Sequence, residues 1–452
     1  MSKQASGNLT QGPIMRVLFR LALPIMAATF LSTAYSLTDM AWIGKLGSKA
    51  VAAIGVGGMY GWLSQGLAIL ARMGGQVHAG QAIGRGDQDE ARHYAVSSVQ
   101  LVTLFGVVYG AICLLLPGPL IGFYNLDDPT TVHMAKQYLM IACGASVVNF
   151  LNFTLTGLYT AQGDSKTPLI ANAAGLLLNM ILDPLLILGI GPAPRMEVIG
   201  AAVATVFSQV VVLVILIAAM KPDNLLRQGS ILCPEKKRYF ADVIRMGTPA
   251  ALQSAFYCAI SMVLTRMVGA YGEAAIAVQR LGGQIESLTW NTADGFGSAM
   301  NAFCAQNYGA GKLDRVRKSY RVSARLMIGW GALIGALFIF FPKGIAGLFF
   351  HEAEVLTLSV GYFVIVGLSE PFMCLELMAI GSMSGLGRTK QCSLISIIFT
   401  ILRVPLAWAL SRTGLGLNGI WWALSVSSIV KGILLHIFFH RECTQLEKDL
   451  SE

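Results

Sequence analysis

The stretch QAIGRGDQDEAR, at residues 81–92, contains a spaced pattern that returns later in the chain. The pattern Gln-x-x-Gly-x-Gly-x-x-Asp-x-x-Arg recurs at residues 306–317, which is 225 positions later and without a gap. Pro24 and Pro249 keep the same offset, and so do Ala52 and Ala277. Self-similarity over this distance indicates that the chain consists of two copies of one structural unit.

The composition of the whole chain is that of a membrane protein. Hydrophobic residues make up 55% of the 452 residues and charged residues 13%, against roughly 25% charged in soluble domains. Apolar runs of about 20 residues, the length of a membrane-spanning helix, recur from residue 15 to residue 440. We therefore predict an all-α membrane protein whose first span is retained, because no cleavable signal peptide precedes it.

Twelve spans are expected, six in each copy. They lie near residues 15–41, 50–73, 92–116, 131–159, 168–190, 198–220, 243–268, 275–300, 318–341, 355–384, 391–411 and 418–440. We expect an N-terminal lobe at 1–222, a linker at 223–242, a C-terminal lobe at 243–440 and a tail at 441–452. Because six is an even number, both lobes enter the membrane from the same side, which predicts two parallel six-helix lobes around a central cavity.

The basic residues indicate which side of the membrane each connection occupies. The connections after spans 2, 4, 6, 8 and 10 hold sixteen Lys or Arg residues, whereas the opposite connections hold four plus two borderline ones. The positive-inside rule therefore places both termini and the linker in the cytoplasm. The same distribution accounts for the net charge of +9 without a nucleic-acid partner, since no basic stripe is interleaved with aromatic residues.

Several classes of protein are disfavoured. The eight cysteines and six histidines are scattered, which predicts no metal site and no disulfide framework. The Gly84-x-Gly86 and Gly309-x-Gly311 loops follow apolar spans rather than strands, so we interpret them as helix ends and not as phosphate-binding loops. No nucleophile and base share a predicted site, so an enzyme is not expected.

These motifs resemble the multidrug and toxic compound extrusion (MATE) family over residues 13–440. The elements are Leu23-Pro24 with Thr38-Asp39, the two Gln-x-x-Gly-x-Gly loops, the turn at residues 162–168 (QGDSKTP) and the Gly-Ala-Ala-x-Ala-Thr segment at 200–205. The resemblance implies a monomeric, alternating-access antiporter in the bacterial inner membrane. Such a protein exports organic cations and drugs in exchange for H⁺ or Na⁺, without a cofactor. A lipid-linked saccharide flippase of the same superfamily is the alternative.

Within the family, the resemblance points to the DinF-like branch, in which the cation-binding cluster lies in the N-terminal lobe. The corresponding residues here are Asp39, Asn179, Asp183 and Thr205. The NorM-like branch instead uses acidic residues in spans 7 and 10, and the matching positions here fall near Tyr257 and Met373.

The four polar residues can meet in the outer half of the membrane. Asp183 lies ~22 Å along span 5 and Asn179 one helical turn before it, while Thr205 lies ~10 Å below the outer end of span 6. Two carboxylates at hydrogen-bonding distance share one proton, which suits a proton carrier; the same oxygens also suit Na⁺. Two structural alternatives stay open: Asp183-Pro184 as a helix break, and Asp39 as an interfacial residue.

A substrate cavity between the lobes is the second candidate site. Aromatic rings and methionines receive flat cations, and buried acids attract them. The candidates are Tyr35, Trp42, Trp62, Tyr257, Met262, Trp290, Asp294 and Glu370. Each has an alternative role in packing or in a structural ion pair.

Overall fold

The computed structural model describes residues 9–124, 126, 128–190, 194–227, 235–347 and 353–451. Over these residues the backbone forms helices and turns, with no strand. In the first copy the membrane helices are α1 (Ile14–Gly44), α2 (Ser48–Arg85), α3 (Gln88–Leu115), α4 (Pro129–Tyr138, Leu139–Cys143 and Ser146–Ala161), α5 (Lys166–Leu188) and α6 (Glu197–Ala218). In the second copy they are α7 (Lys237–Gly269), α8 (Glu273–Gly309), α9 (Leu313–Phe340), α10 (Ala353–Gly385), α11 (Thr389–Ile401 and Arg403–Ser411) and α12 (Leu417–Ser451).

Every predicted span coincides with one of these helices, and short helices at Pro117–Gly122 and Pro342–Gly347 follow α3 and α9. Ten of the described helices are long and apolar enough to cross a bilayer, and the bent α4 makes an eleventh. Helix α8 is 37 residues long but is not in that set. All twelve predicted spans are thus present as helices among the described residues, and α8 is the one whose composition is less apolar than the other eleven.

Helix α4 is broken where the sequence predicted one continuous span. Its two α-helical parts meet at 43°, and a π-helical turn at Leu139–Cys143 lies between them. Asp128 caps the N-terminal end of α4 by accepting hydrogen bonds from the hydroxyl and the backbone N–H of Thr131. These bonds hold the pKa of the Asp128 carboxyl below its ordinary value.

The repeated glycine loops end α2 and α8, as predicted. Gly86 has φ +82° and closes α2 with backbone bonds to the carbonyls of Ala82 and Ile83, while Gly311 has φ +70° just beyond α8. Both angles lie in the left-handed region that glycine adopts without strain. Helix α2 continues to Arg85, twelve residues beyond the predicted apolar span. Val77, Ala79 and Ala82 in this part are fully buried, and such packing outweighs the low helix propensity of its glycines.

Packing divides the chain into two compact units whose boundaries are not those of the repeat. Unit 1 contains residues 27–251 and unit 2 contains residues 9–26 together with residues 252–451. Both boundaries fall inside a continuous helix, two residues after Pro24 in α1 and two residues after Pro249 in α7. The predicted linker at 223–242 separates the copies in sequence, and its residues 228–234 lie outside the described ones.

Close helix contacts show why each boundary lies there. In unit 1, a Cβ on Gly74 of α2 would lie 2.8 Å from the Cα of Val243 in the first part of α7. In unit 2, Leu18 and Leu21 of α1 pack with Phe296 of α8 in one core. Each unit therefore includes the first part of the helix that begins the other copy.

The segment before α1 is also held by unit 2. The side-chain Oε1 of Gln306 accepts a hydrogen bond from the Leu9 backbone at 3.0 Å, and Asn307 donates to the Leu9 carbonyl at 3.2 Å. Arg315 donates to the Gly12 carbonyl at 2.7 Å. The glutamine of the second Gln-x-x-Gly-x-Gly loop thus has a structural role, because it anchors the chain ahead of α1.

Candidate functional site

A buried pair on α5 forms the centre of the candidate site in unit 1. The amide Nδ2 of Asn179 donates to Oδ1 of Asp183 at 2.7 Å. Asp183 is 0% exposed and Asn179 is buried beside it, as expected for residues one helical turn apart. The helix continues past Pro184 to Leu188, so Asp183 does not mark a helix end.

Asp39, near the end of α1, completes a pair of carboxyl groups. Its side chain is within hydrogen-bonding reach of the Asp183 side chain. Oδ1 of Asp39 and Oδ2 of Asp183 are both buried, and neither has a donor among the described residues. Two ionised carboxylates cannot hydrogen-bond to each other, since both only accept. A single proton between the groups would satisfy both oxygens.

Thr205 joins this cluster through a tyrosine. Its hydroxyl donates to the carbonyl of Ala201 at 2.9 Å, and its side chain is within hydrogen-bonding reach of Tyr35. Tyr35 was expected to line a substrate cavity, but it lies beside Thr205 and close to both carboxyl groups. The structure therefore brings the four predicted residues into one cluster, with Tyr35 as a fifth member.

Tyr138 of α4 is a neighbour of the cluster that the sequence analysis missed. It lies close enough to Asp39 and Asp183 to interact electrostatically with both. A Cβ on Gly57 of α2 would lie 2.8 Å from the Tyr138 ring, so the glycine makes room for it. The repeat carried the signal, because Tyr362 lies 224 positions later and its ring fills the space beside Gly282, the partner of Gly57.

The remaining cavity candidates of unit 1 differ in their surroundings. The ring of Trp42 packs with Ile43 and Ile187, and the Lys45 ammonium lies 4.1 Å from its centroid. Trp62 of α2 is 55% exposed. The ring of Trp42 is thus packed against neighbouring side chains, whereas more than half of the Trp62 side chain is exposed.

The candidates in unit 2 also separate into exposed and buried residues. Tyr257, Met262 and Trp290 are exposed, as is Asp294. Glu370 of α10, by contrast, is 1% exposed and lies near Glu286 of α8.

Unit 2 contains a buried ion pair whose cation the sequence analysis overlooked. The ammonium of Lys431 on α12 lies 2.6 Å from Oε1 of Glu376 on α10, and both side chains are buried. Arg403 donates to the hydroxyls of Ser427 and Ser428 at 3.0 and 3.1 Å. Lys431 is the single lysine within predicted span 12, and this isolation was the available signal.

Comparison with known proteins identifies the repeat and the fold. A family model described as MatE matches residues 24–185 and again residues 249–409. The two matches begin at Pro24 and Pro249, so they follow the internal repeat. Together they cover more than half of the chain.

Relatives extend the similarity over nearly the whole chain. A probable multidrug resistance protein NorM from Thermotoga maritima is 28% identical over 94% of this chain and 92% of its own length. An FAD transporter from Shewanella oneidensis is 26% identical over 96% of each chain. The chain therefore has relatives of similar length, of which one is named for multidrug resistance and another for FAD transport.

Solved structures share the fold at lower identity. A MOP superfamily transporter from Pyrococcus furiosus superimposes with a TM-score of 0.90 at 21% identity, covering 99% of each chain. A multidrug resistance MATE family transporter in an outward-facing conformation gives a TM-score of 0.89 at 21% identity, covering 99% of this chain and 100% of that one. The predicted all-helical fold and the predicted family are both confirmed, and the chain belongs to the MatE family of membrane transporters.

Proposed function

We propose that this protein is a secondary antiporter that exports small organic molecules, driven by cations bound at the Asp39–Asp183 pair of unit 1. One observation carries the proposal: the carboxyl groups of Asp39 and Asp183 are within reach of each other, and each keeps a buried oxygen that has no donor among the side chains the structure describes. A carboxylate at the centre of a membrane helix costs about 2.5–3.5 kcal/mol on insertion scales. Such a pair is expected to have a function.

The Asp39–Asp183 pair can act as a switch because its net charge depends on whether a proton is bound. With one shared proton, the two groups carry a single negative charge and bind each other. Without it, they carry two charges and repel. A proton that binds one conformation of α1 and α5 more tightly than another shifts the balance between them, and only such a difference can drive a transport cycle.

H⁺ is the simpler ligand for this geometry, and Na⁺ is the alternative. The Asn179 amide already donates to Asp183, and the Thr205 hydroxyl already donates to a backbone carbonyl. One proton would complete the hydrogen bonds of both carboxyl groups, whereas Na⁺ would need further oxygen ligands. Placement of the cluster in unit 1 also favours the DinF-like branch of the family.

The proposed cargo is an organic cation or another drug-like molecule. The relatives are named for multidrug resistance or FAD transport, which does not favour the lipid-linked saccharide flippase. Both termini are proposed to lie in the cytoplasm, and the protein to act as a monomer in the inner membrane.

The test is dye export by the purified protein in liposomes, with the H⁺ and Na⁺ gradients imposed separately and no nucleotide present. The expected result is dye transport with the H⁺ gradient alone and none after an ionophore collapses it. Transport with the Na⁺ gradient alone would mean that the coupling ion is Na⁺ and not H⁺. Transport with neither gradient, or only with ATP, would contradict it.

A further inference from the structure

Three exposed basic side chains lie on one face of α9 in unit 2. They are Lys318, Arg321 and Arg325, and their spacings of three and four residues put them on one side of the helix. From Arg321 to the end of α9 at Phe340 the helix is ~29 Å long, close to the hydrocarbon thickness of a bilayer. Arg321 therefore lies where the hydrocarbon ends, and the other two side chains can extend to the same level.

Helix α12 brings a fourth exposed basic side chain to the same level. Arg441 lies ~36 Å along α12 from Leu417, so it too lies at the end of the hydrocarbon. The two helices are in contact here, because the Tyr320 hydroxyl lies 3.1 Å from Nδ1 of His436. The Tyr320 ring also stacks on Phe439, with 3.6 Å between the ring centroids. We call the four exposed side chains at positions 318, 321, 325 and 441 the basic face of unit 2.

A groove of about 770 Å³ follows the side of α12 that carries Arg441. His436 and His440, one helical turn apart, line the groove together with Arg441. Arg321 of α9 lies close enough to His440 to interact with it electrostatically. Two histidines at this spacing suit a transition-metal ion, but a guanidinium beside them repels any cation. The groove is therefore better suited to an anion.

The basic face has no carboxylate partner in the described part of the chain. The acidic side chains on this part of α12 pair with other arginines: Glu447 lies 2.7 Å from Arg317, and Glu442 lies 2.9 Å from Arg388. Among the described side chains, no carboxylate lies within salt-bridge distance of the four residues of the basic face. Like charges at one level of the membrane repel each other, and a bound anion relieves this repulsion.

The corresponding face of α3 in unit 1 is covered by the chain itself. At the offset of 225, Lys318 corresponds to His93 and Arg321 to Val96. The His93 ring stacks on Tyr239 at the start of α7, with 4.9 Å between the centroids, and Val96 is 1% exposed. The same face of unit 2 is exposed and charged, so it is open to a neighbour from outside the chain.

Apolar side chains continue this surface toward the middle of the membrane. Ile328 of α9 and Ile433 and Ile437 of α12 are exposed. Ile328 lies three residues beyond Arg325, and Ile437 lies one turn before Arg441. Basic groups at the membrane surface with aliphatic groups below them match the headgroup and the acyl chains of an anionic phospholipid.

We propose that unit 2 binds an anionic phospholipid between α9 and α12, with its phosphate on Arg321 and Arg441 and its acyl chains along the exposed isoleucines. A guanidinium presents a planar fork of donors that matches a phosphate. Basic residues clustered at the end of a membrane helix attract anionic headgroups. The inference is independent of the exported molecule and of the coupling ion.

The test compares two phospholipids that have identical dioleoyl chains. Phosphatidylglycerol is anionic, and phosphatidylcholine has no net charge. The purified protein in detergent is titrated with each lipid, and bound lipid is counted by native mass spectrometry. The wild type should bind phosphatidylglycerol about tenfold or more tightly than phosphatidylcholine. In Arg321→Gln/Arg441→Gln, affinity for phosphatidylglycerol should fall about tenfold or more, and affinity for phosphatidylcholine should stay within about twofold.

A charge-conserving variant and a matched control accompany the test. Arg321→Lys/Arg441→Lys keeps both charges but loses the planar forks, so its affinity for phosphatidylglycerol should lie between those of the wild type and the glutamine variant. It also supplies the comparison if the glutamine variant does not fold. The control, Lys237→Gln/Arg245→Gln, removes two exposed positive charges from α7 and should bind both lipids as the wild type does.

Three results would overturn the inference. The first is equal affinity for phosphatidylglycerol in the wild type and the folded glutamine variant. The second is an equal loss in the control, which would mean that the lipid responds to the charge of the whole surface. The third is displacement of bound phosphatidylglycerol by an equal concentration of glycerol phosphate, which would indicate a site for soluble phosphates. Retention of the lipid in that competition would support the proposal.

Discussion

The Nδ2 atom of Asn179 lies 2.7 Å from Oδ1 of Asp183, and both residues are buried on one face of α5. This bond satisfies one oxygen of the carboxyl group, and the other, in the cluster that contains Asp39, has no donor in the part of the chain that is described. The amide therefore fixes the rotamer in which Asp183 meets its partner. Its role is to position the carboxyl pair.

Asn179→Ala should reduce coupled export strongly while the protein still reaches the membrane. Removing the amide leaves a buried acceptor unsatisfied, at a cost of about 1–3 kcal/mol, and frees the Asp183 side chain to rotate. Dye efflux, normalised to protein in the membrane fraction, measures the effect. The control is Asn172→Ala on the same helix, which loses only a bond to the Pro168 carbonyl. Equal efflux by both variants would contradict the positioning role.

The Lys431–Glu376 pair should stabilise unit 2 only as long as both partners are present. Lys431→Met leaves the buried carboxylate of Glu376 without its cation, and Glu376→Gln leaves the buried ammonium of Lys431 without its anion. Loss of one partner of a buried pair typically costs about 3–5 kcal/mol of stability. The double variant removes both charges and should recover much of this loss. Thermal unfolding of the detergent-solubilised protein measures the three variants. Additive effects in the double variant would show that the two side chains do not interact.

Gly57 and Gly58 offer a matched pair of substitutions on α2. Gly57→Ala places a methyl group 2.8 Å from the Tyr138 ring, whereas a Cβ on Gly58 meets nothing within 4 Å. Overpacking should destabilise Gly57→Ala by about 1–3 kcal/mol, and Gly58→Ala should be neutral or slightly stabilised because alanine favours a helix. Thermal unfolding and dye efflux provide the readouts. Equal stability of the two variants would mean that Tyr138 does not pack against Gly57.

The apolar runs were sufficient to predict the helices, because bilayer thickness and helical rise together set the length of a span. The family was predicted separately, from the resemblance of the repeated motifs. The same one-dimensional signals identified Asp183 and Asn179 as neighbours, since i and i+4 residues share a helix face. They did not identify Tyr138 or Lys431, whose partners lie on other helices. Contacts across helices depend on packing, which spacing along one helix does not encode.

Two features of the backbone could not be predicted from the sequence: the bend in α4 and the boundaries of the two units. The bend in α4 lies at a π-helical turn at Leu139–Cys143 that is followed by Gly144, and a single glycine in an apolar run does not by itself predict a break. The unit boundaries at residues 26 and 251 follow from helix packing after Pro24 and Pro249, whereas the repeat itself placed the division in the linker.

The central claim is that Asp39 and Asp183 bind the coupling cation together, and Asp39→Asn tests it most directly. Asparagine keeps the size and hydrogen-bonding shape of the side chain but cannot bind and release a proton, so the cation no longer distinguishes two conformations. Asp183→Asn should have the same effect, and Glu370→Gln should keep at least part of the activity. The measurement is dye efflux in a strain that lacks its own exporters, normalised to membrane protein. The account predicts no efflux by folded Asp39→Asn; wild-type efflux by that variant, or loss of efflux in Glu370→Gln alone, would contradict it.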